Sequence, residues 1–289
     1  MRLADRFEHA TAVDPSLNYC LWDYRPAAPA EDKWRSVNLL YQSFDLAGLG
    51  DRAFQLVDAL RESIGAFRTV FGIKLVGDRL AWEFYFYDYD RQQRSVSASR
   101  VLAALQPWLG CKLQVDEQLP YFMFSLDFDA DIAAGNRALD VAHLYIGNPG
   151  SAVSSGIAYG LRRGGCTLEN FYFFFDAVRE RDQIIDKLNC SAHGIAGQVP
   201  IEQVLVPELA DCTTVCVANK SGHDCIYFSG VDVGQLAYFL ARLDYPAPVR
   251  QFVAEHRDRL DHLRFDVGFD YRAEGGRLQI LKSGYYGVF

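Results

Sequence analysis

Several features are missing from this sequence, and each absence excludes something. None of its seven cysteines (Cys20, Cys111, Cys166, Cys190, Cys212, Cys216 and Cys225) forms a Cys-x-x-Cys pair, and Cys212 and Cys216 have no histidine pair at metal-ligand spacing. That argues against a zinc framework and for reduced thiols. No cluster of five or more Lys/Arg occurs, and the net charge is −8 with a pI near 5.3. Phosphate backbones require a basic face, so a nucleic-acid partner is not expected. Net charge limits partners rather than ligands, because a few cations converging in a cavity can still bind a small anion. No apolar run approaches a membrane span, and the N-terminal MRLADRFEHA lacks the apolar core of a secretion signal. The expectation is a cytoplasmic, monomeric protein with no membrane partner. No Gly-x-Gly-x-x-Gly follows a strand, as a dinucleotide-binding fold requires, and no Gly-x-Ser-x-Gly elbow is present, since Ser154–Gly156 opens a strand.

Aromatic residues are abundant instead: twenty Phe, sixteen Tyr and four Trp make up 14% of the chain. Five times, two runs rich in aromatic and β-branched residues are separated by a polar or Gly-containing turn. The pairs are Phe67–Val76 with Leu80–Tyr89, Tyr121–Phe128 with Ala138–Ile146, and Gly156–Arg162 with Thr167–Asp176. Thr213–Ala218 pairs with Cys225–Gly230, and Leu263–Tyr271 with Leu278–Phe289. Helix-period segments fall around them at Asp51–Ile64, Ser97–Leu109, Arg179–Leu188, Ile201–Leu209, Asp232–Leu243 and Val249–Leu260. The order reads as helix, strand, strand, helix, repeated. The first 45 residues are open between another hairpin and a helix-strand cap.

Short links favour antiparallel pairing, and ten strands in one sheet remove their exposed edges by closing. The expected fold is therefore α+β: a closed ten-stranded antiparallel barrel ringed by helices, one domain over residues 1–289, with 1–50 as an N-terminal extension. A barrel of that size has a lumen wider than side chains alone would fill.

Each of the first four hairpins has, on its second strand, a tyrosine with a polar or special residue two positions earlier. These are Glu83 with Tyr85, His143 with Tyr145, Asn170 with Tyr172, and Cys225 with Tyr227; in the last strand Lys282, Gly284 and Tyr286 share a face. Residues two apart point the same way. Glu83, His143, Asn170 and Lys282 suit a lumen better than a face buried under helices. Tyrosine is common in strands anyway, but a matching placement in every hairpin predicts a ring of phenols around a cavity with a few polar anchors.

The five-hairpin order and the polar-x-Tyr signature resemble the ABBA-type (αββα barrel) aromatic prenyltransferases, both the soluble bacterial phenol/naphthol enzymes and the cyanobactin peptide group. The resemblance covers roughly residues 50–289. It is most specific at Asn170-Phe171-Tyr172, where the family has Asn-x-Tyr, and at Lys282-Ser283-Gly284-Tyr285-Tyr286, where it has Lys-x-Gly-x-Tyr. Trp82-Glu83-Phe84 matches a position that holds a magnesium-binding Asp in some members. The chain departs from the family at His143, where Lys is common, and at Cys225, where Arg is common.

The resemblance implies transfer of a dimethylallyl or geranyl group from its diphosphate to an electron-rich aromatic, either a small molecule or a peptide side chain. Lys282, Asn170 and His143 would bind diphosphate. Glu83 would hold Mg²⁺ or act as a base, and Tyr145, Tyr172, Tyr227 and Tyr286 would shield the allylic cation. By position alone, Arg162 and Arg163, where a strand runs into a turn, are open between solvated surface residues and contacts to an anion at the barrel mouth. Cys225 reads as a small buried filler. The alternative is a catalytically degenerate barrel that only binds an isoprenoid or another hydrophobic ligand.

Overall fold

The computed structural model describes residues 3–15, 17–19, 22–88, 94–147, 154–191, 193 and 195–289, with backbone alone at 17–19 and 22–23. Cys20 and the expected strand end at Tyr89 lie outside the described residues. Strands β1 (Leu17–Tyr19) and β2 (Trp22–Tyr24) pair with each other, and helices α1 (Val37–Leu46) and α2 (Gly50–Ile64) follow. The first 45 residues thus combine both expected alternatives, a small hairpin and a helix. Next come β3 (Thr69–Val76), β4 (Arg79–Tyr87), α3 (Ala98–Leu105), β5 (Met123–Phe128), α4 (Ala130–Ala134), β6 (Ala142–Gly147), β7 (Ser155–Arg162) and β8 (Gly165–Asp176). The chain continues through α5 (Arg181–Asn189), β9 (Thr214–Lys220), β10 (His223–Val231), α6 (Val233–Arg242), α7 (Ala247–Glu255), α8 (Arg257–Leu260), β11 (Phe265–Glu274) and β12 (Arg277–Val288).

Strands β3 to β12 form one closed barrel, in chain order around the wall, with β12 returning to pair with β3. Every pairing is antiparallel. The expected ten-stranded closed antiparallel barrel is therefore what the chain forms. No helix among the described residues is long and apolar enough to cross a membrane.

Period-two alternation makes the wall two-faced. In β3, Phe71, Ile73 and Leu75 point outward into a large core shared with the helices, while Gly72 and Lys74 face inward. Outward Trp82, Phe84 and Phe86 on β4 are all 2% exposed or less; burial of one such ring stabilises by roughly 1.5–3 kcal/mol. Trp82 donates its indole N–H to Ser43 Oγ on α1 at 2.8 Å, which ties the helical layer to the wall.

Two helical expectations are corrected. Ile201–Leu209 is not one helix but two short 3-10 turns, Ile201–Gln203 and Pro207–Leu209, because Pro207 has no N–H to continue the ladder. Among the described residues no helix lies between β6 and β7. Over that part of the wall, outward Phe171 on β8 is 42% exposed. The expected Val249–Leu260 helix divides at His256 into α7 and α8. Ser97 caps α3 by accepting from the Arg100 N–H at 3.2 Å, and Asp232 with Gln235 forms a capping box on α6.

Candidate functional site

Inside the barrel, the second strand of each hairpin contributes one tyrosine to a continuous belt. Ring centroids run Tyr172–Tyr145 at 5.9 Å, Tyr145–Tyr85 at 6.1 Å, Tyr85–Tyr286 at 5.9 Å and Tyr286–Tyr227 at 6.2 Å. These spacings suit tilted and edge contacts between rings. Small residues on the first strands make room for them. Tyr286 is opposite Gly72, Tyr85 opposite Ser125, Tyr145 opposite Ala158, Tyr172 opposite Gly156 and Tyr227 opposite Gly268. Burial pushes the phenols of Tyr85, Tyr145, Tyr227 and Tyr286 well above their ordinary value. They stay protonated, presenting neutral π faces rather than phenolates.

A polar tier adjoins the belt. Lys74 Nζ donates to Glu83 Oε2 at 3.0 Å and to Asp127 Oδ1. Burial alone would pull the Lys74 ammonium down; Asp127 and Glu83 outweigh it and hold the side chain charged. Ser125 Oγ donates to the other Glu83 oxygen at 2.7 Å and lies 3.1 Å from Tyr145 Oη. His143 spans two carboxylates, with Nδ1 2.7 Å from Glu169 and Nε2 3.3 Å from Asp127. Burial opposes its charge, yet these hydrogen bonds win and push the imidazole up to about 9. On the other side of the lumen three side chains converge on Asp270: the ammonium groups of Lys220 at 2.8 Å and Lys282 at 3.4 Å, and the His223 imidazole at 2.8 Å. They overcome the desolvation cost and hold Asp270 well below the usual carboxylate range.

Of the residues singled out from sequence, Glu83, His143, Tyr145, Asn170, Tyr172, Cys225, Tyr227, Lys282 and Tyr286 line this one cavity, and Arg162 and Arg163 do not. Their individual contacts refine the expected roles. Asn170 donates its amide to the Tyr172 hydroxyl at 2.9 Å, so it orients a belt member. His143 has both ring nitrogens on carboxylates. Arg162 donates to Glu169 at 2.8 Å, whereas nothing places Arg163 at the site. Cys225 is buried at the lumen, and burial pushes its thiol well up. Sequence reading missed Lys74, Lys220, Asp127 and Asp270. A lysine two residues from a small residue on the first strand of a hairpin (Gly72-x-Lys74, Ala218-x-Lys220) was the available signal for the two cations. Lys220 ends the first strand of the fourth hairpin, directly opposite Asn170 and near Cys225, so that hairpin supplies its cation from the first strand and not from the Cys225 position.

The donor set does not suit a divalent metal as it stands. Both Glu83 oxygens already accept hydrogen bonds, from Lys74 and Ser125. Among the described residues no group of three or more His, Cys, Asp or Glu side chains has metal-binding geometry. The ammonium of Lys74 sits where a cation bound to Glu83 would go.

The fold and site define a closed β-barrel with an amphipathic lumen, aromatic at one level and charged at the next. Set against known protein families and curated proteins, the chain matches none.

Proposed function

We propose that this barrel is a prenyltransferase of the αββα (ABBA) class, moving a dimethylallyl or geranyl group from its diphosphate to an electron-rich aromatic acceptor. The observation that carries this reading is the belt of five neutral phenols inside a closed wall, directly beside a tier holding Lys74, Lys220 and Lys282. Ionising an allylic diphosphate creates two charges at once. The leaving diphosphate requires cations and donors; Lys282, at 38% side-chain exposure, is the most available of the three lysines, with Lys220 behind it. The allylic cation requires π faces and no nucleophile. Lys220 Nζ already sits 5.9 Å from the Tyr227 ring centroid, the geometry of a cation–π contact. Phenols and a thiol held in their protonated forms do not trap the carbocation as phenolate or thiolate would, and a closed barrel limits hydrolysis by water.

The allylic C–O bond breaks with its electron pair going to diphosphate, the acceptor forms the new bond, and the acceptor's proton passes to a base. The open space at this level is about 60 Å³, room for a few waters, so side chains must move aside for a prenyl chain.

A second reading, a barrel that only binds an isoprenoid, is favoured by one observation: carboxylates already neutralise the lysines of the charged tier. Incubation with dimethylallyl and geranyl diphosphate, with and without phenols, indoles and tyrosine- or tryptophan-bearing peptides, separates the two. Diphosphate release with a prenylated acceptor supports the transferase; binding without release from any donor supports the binder.

A further inference from the structure

Strand β11 carries an inward carboxylate on each side of the aromatic belt. Asp270 lies in the charged tier, Gly268 seats Tyr227, and Asp266 lies beyond, opposite Ser229 and Tyr286. Four residues of strand separate the two acids by about 13 Å. Their surroundings are opposite. Asp270 holds two ammonium groups and an imidazole, whereas among the described residues no Lys, Arg or His lies within ion-pair distance of Asp266. Its partners are neutral: the Tyr24 hydroxyl at 2.9 Å, the Gly230 N–H at 3.2 Å and Ser229.

A β-bulge builds this seat. The β10–β11 register shifts between Ser229 and Val231, and Gly230 adopts φ +85°. The bulge turns its N–H onto Asp266, and without a Cβ it leaves space for the Tyr24 ring. A Cβ there would stand 3.1 Å from Tyr24 Cε1 and 2.6 Å from Thr213 Oγ1. Bulges of this kind re-aim groups at functional sites. Tyr24 itself comes from β2, outside the barrel wall, and enters the inner apolar cluster with Tyr145 and Tyr286. It also lines a cavity of about 110 Å³ with Phe67, His262 and Val288, so its ring has room to swing away.

We infer that Asp266, with the Gly230 N–H, is a binding site for the hydroxyl or ring N–H of an aromatic acceptor, that Asp266 takes the acceptor's proton, and that Tyr24 occupies this site until the acceptor displaces it. The catalytic half of this inference rests on the prenyl-transfer reading; the binding half does not. As the donor's C–O bond breaks toward diphosphate and the acceptor closes the new bond to the allylic carbon, the acceptor's proton moves to Asp266 Oδ1. The carboxylic acid then loses it to water once product leaves. Burial pushes the Asp266 carboxyl up to about 6, a range suited to accepting a proton near neutrality. The titratable or charged groups around it are Tyr24 from β2, Tyr286 from β12, Cys212 before β9, and Arg264, whose guanidinium donates to Gly230 O at 3.5 Å.

The test is calorimetric binding of p-cresol, with 4-methylanisole as the hydroxyl-free control, to the full chain and to Tyr24→Phe, Tyr24→Ala and Tyr24→Ala/Asp266→Asn. Thermal unfolding identifies any variant that fails to fold; Tyr24→Phe keeps the ring and removes only the competing hydroxyl. The expected result is p-cresol binding at least about tenfold tighter to Tyr24→Ala than to the native chain, with a smaller gain in Tyr24→Phe. The gain disappears in the double variant and is absent for 4-methylanisole. Binding to Tyr24→Ala strengthens as pH rises through about 6. Equal affinity across folded variants, or equal affinity for the two probes, overturns the site. Binding as expected with no prenyl transfer from any donor keeps the site and removes the transferase reading. Prenyl transfer that Asp266→Asn leaves unchanged keeps the transferase and removes Asp266 as its base.

Discussion

The Tyr286 ring lies across Gly72 so closely that a Cβ on that glycine would stand 2.6 Å from Tyr286 Cε1. Tyr227 and Gly268 repeat the relationship one hairpin away, and there an added Cβ also meets the Ile226 carbonyl oxygen at 2.7 Å. An aromatic ring can tilt, whereas a strand carbonyl cannot. Gly72→Ala is therefore expected to cost about 1–3 kcal/mol, the usual range for overpacking, and Gly268→Ala distinctly more. Urea unfolding of the two variants checks the order; equal costs would mean that the Ile226 carbonyl adds nothing to the ring contact.

Tyr227 faces both Lys220 and the space proposed for the allylic cation. A cation–π role requires the ring and not its hydroxyl, and such contacts contribute about 0.5–2 kcal/mol. Tyr227→Phe is expected to retain most transfer activity. Tyr227→Leu is expected to lose roughly twofold to thirtyfold in rate, with more prenyl alcohol formed as water captures the cation. The ratio of prenylated acceptor to prenyl alcohol is the readout. Equal ratios in the two variants would show that the ring face is not used.

Much of this was legible from alternation alone. The polar-x-Tyr pairs identified the inner face of each second strand because a tyrosine and a polar residue two apart cannot both be placed comfortably under an apolar helix. Lys74 and Lys220 were hidden because they lie on first strands, in runs such as TVFGIKLV whose outward residues dominate the pattern. Glu83 pairs with Lys74 within one hairpin, but the other carboxylate partners come from different hairpins: Asp127 is 53 residues from Lys74, and Asp270 is 50 from Lys220. No local spacing encodes such pairs; only closure of the barrel brings them together. Asp266 was hidden for the same reason, since its phenol partner Tyr24 is 242 residues away. The failed helix at Ile201–Leu209 was a local error, as Pro207 should have divided it.

Asp270 and Lys282 give contrasting expectations. Asp270 is the shared partner of Lys220, which is 8% exposed, while Lys282 is 38% exposed. Removing the carboxylate leaves a buried ammonium uncompensated, which costs about 3–5 kcal/mol. Removing the half-exposed lysine costs about 0–1 kcal/mol. Asp270→Asn is therefore expected to shift the urea midpoint strongly and Lys282→Ala hardly at all, while Lys282→Ala still weakens binding of inorganic diphosphate. Unchanged diphosphate affinity in Lys282→Ala would remove that lysine from the donor site.

The imidazole of His143 links pH to stability. Its folded-state pKa, about 9, is raised above the ordinary 6.5. A raised pKa contributes stability that is fully present below about 6.5 and is lost as pH climbs through about 9, amounting to about 3 kcal/mol. The native chain is expected to lose stability between about pH 7 and pH 9, and His143→Gln to lose much of that slope while being less stable at pH 6. Denaturant titrations at several pH values decide it. A native slope that persists unchanged in His143→Gln would assign the effect to another group.

Lys74 occupies the position between Glu83 and Asp127, which are direct partners across β4 and β5. While its ammonium is there, Mg²⁺ gains little by approaching either carboxylate, so EDTA and millimolar Mg²⁺ are expected to leave native thermal stability and donor turnover unchanged. Lys74→Ala opens the position at a cost of about 3–5 kcal/mol, because the buried Glu83 carboxylate loses its counter-charge while the more exposed Asp127 keeps His143. A divalent oxygen-seeking ion can restore part of that compensation. Mg²⁺ at tenfold excess over its Kd is expected to return about 1.4 kcal/mol to Lys74→Ala, and not to Lys74→Ala/Glu83→Gln. The readout is the Mg²⁺-dependent shift in melting temperature for each protein. A native chain that melts higher with Mg²⁺ and lower with EDTA would mean that the metal competes successfully with Lys74, and Glu83 would then regain its place as a metal ligand.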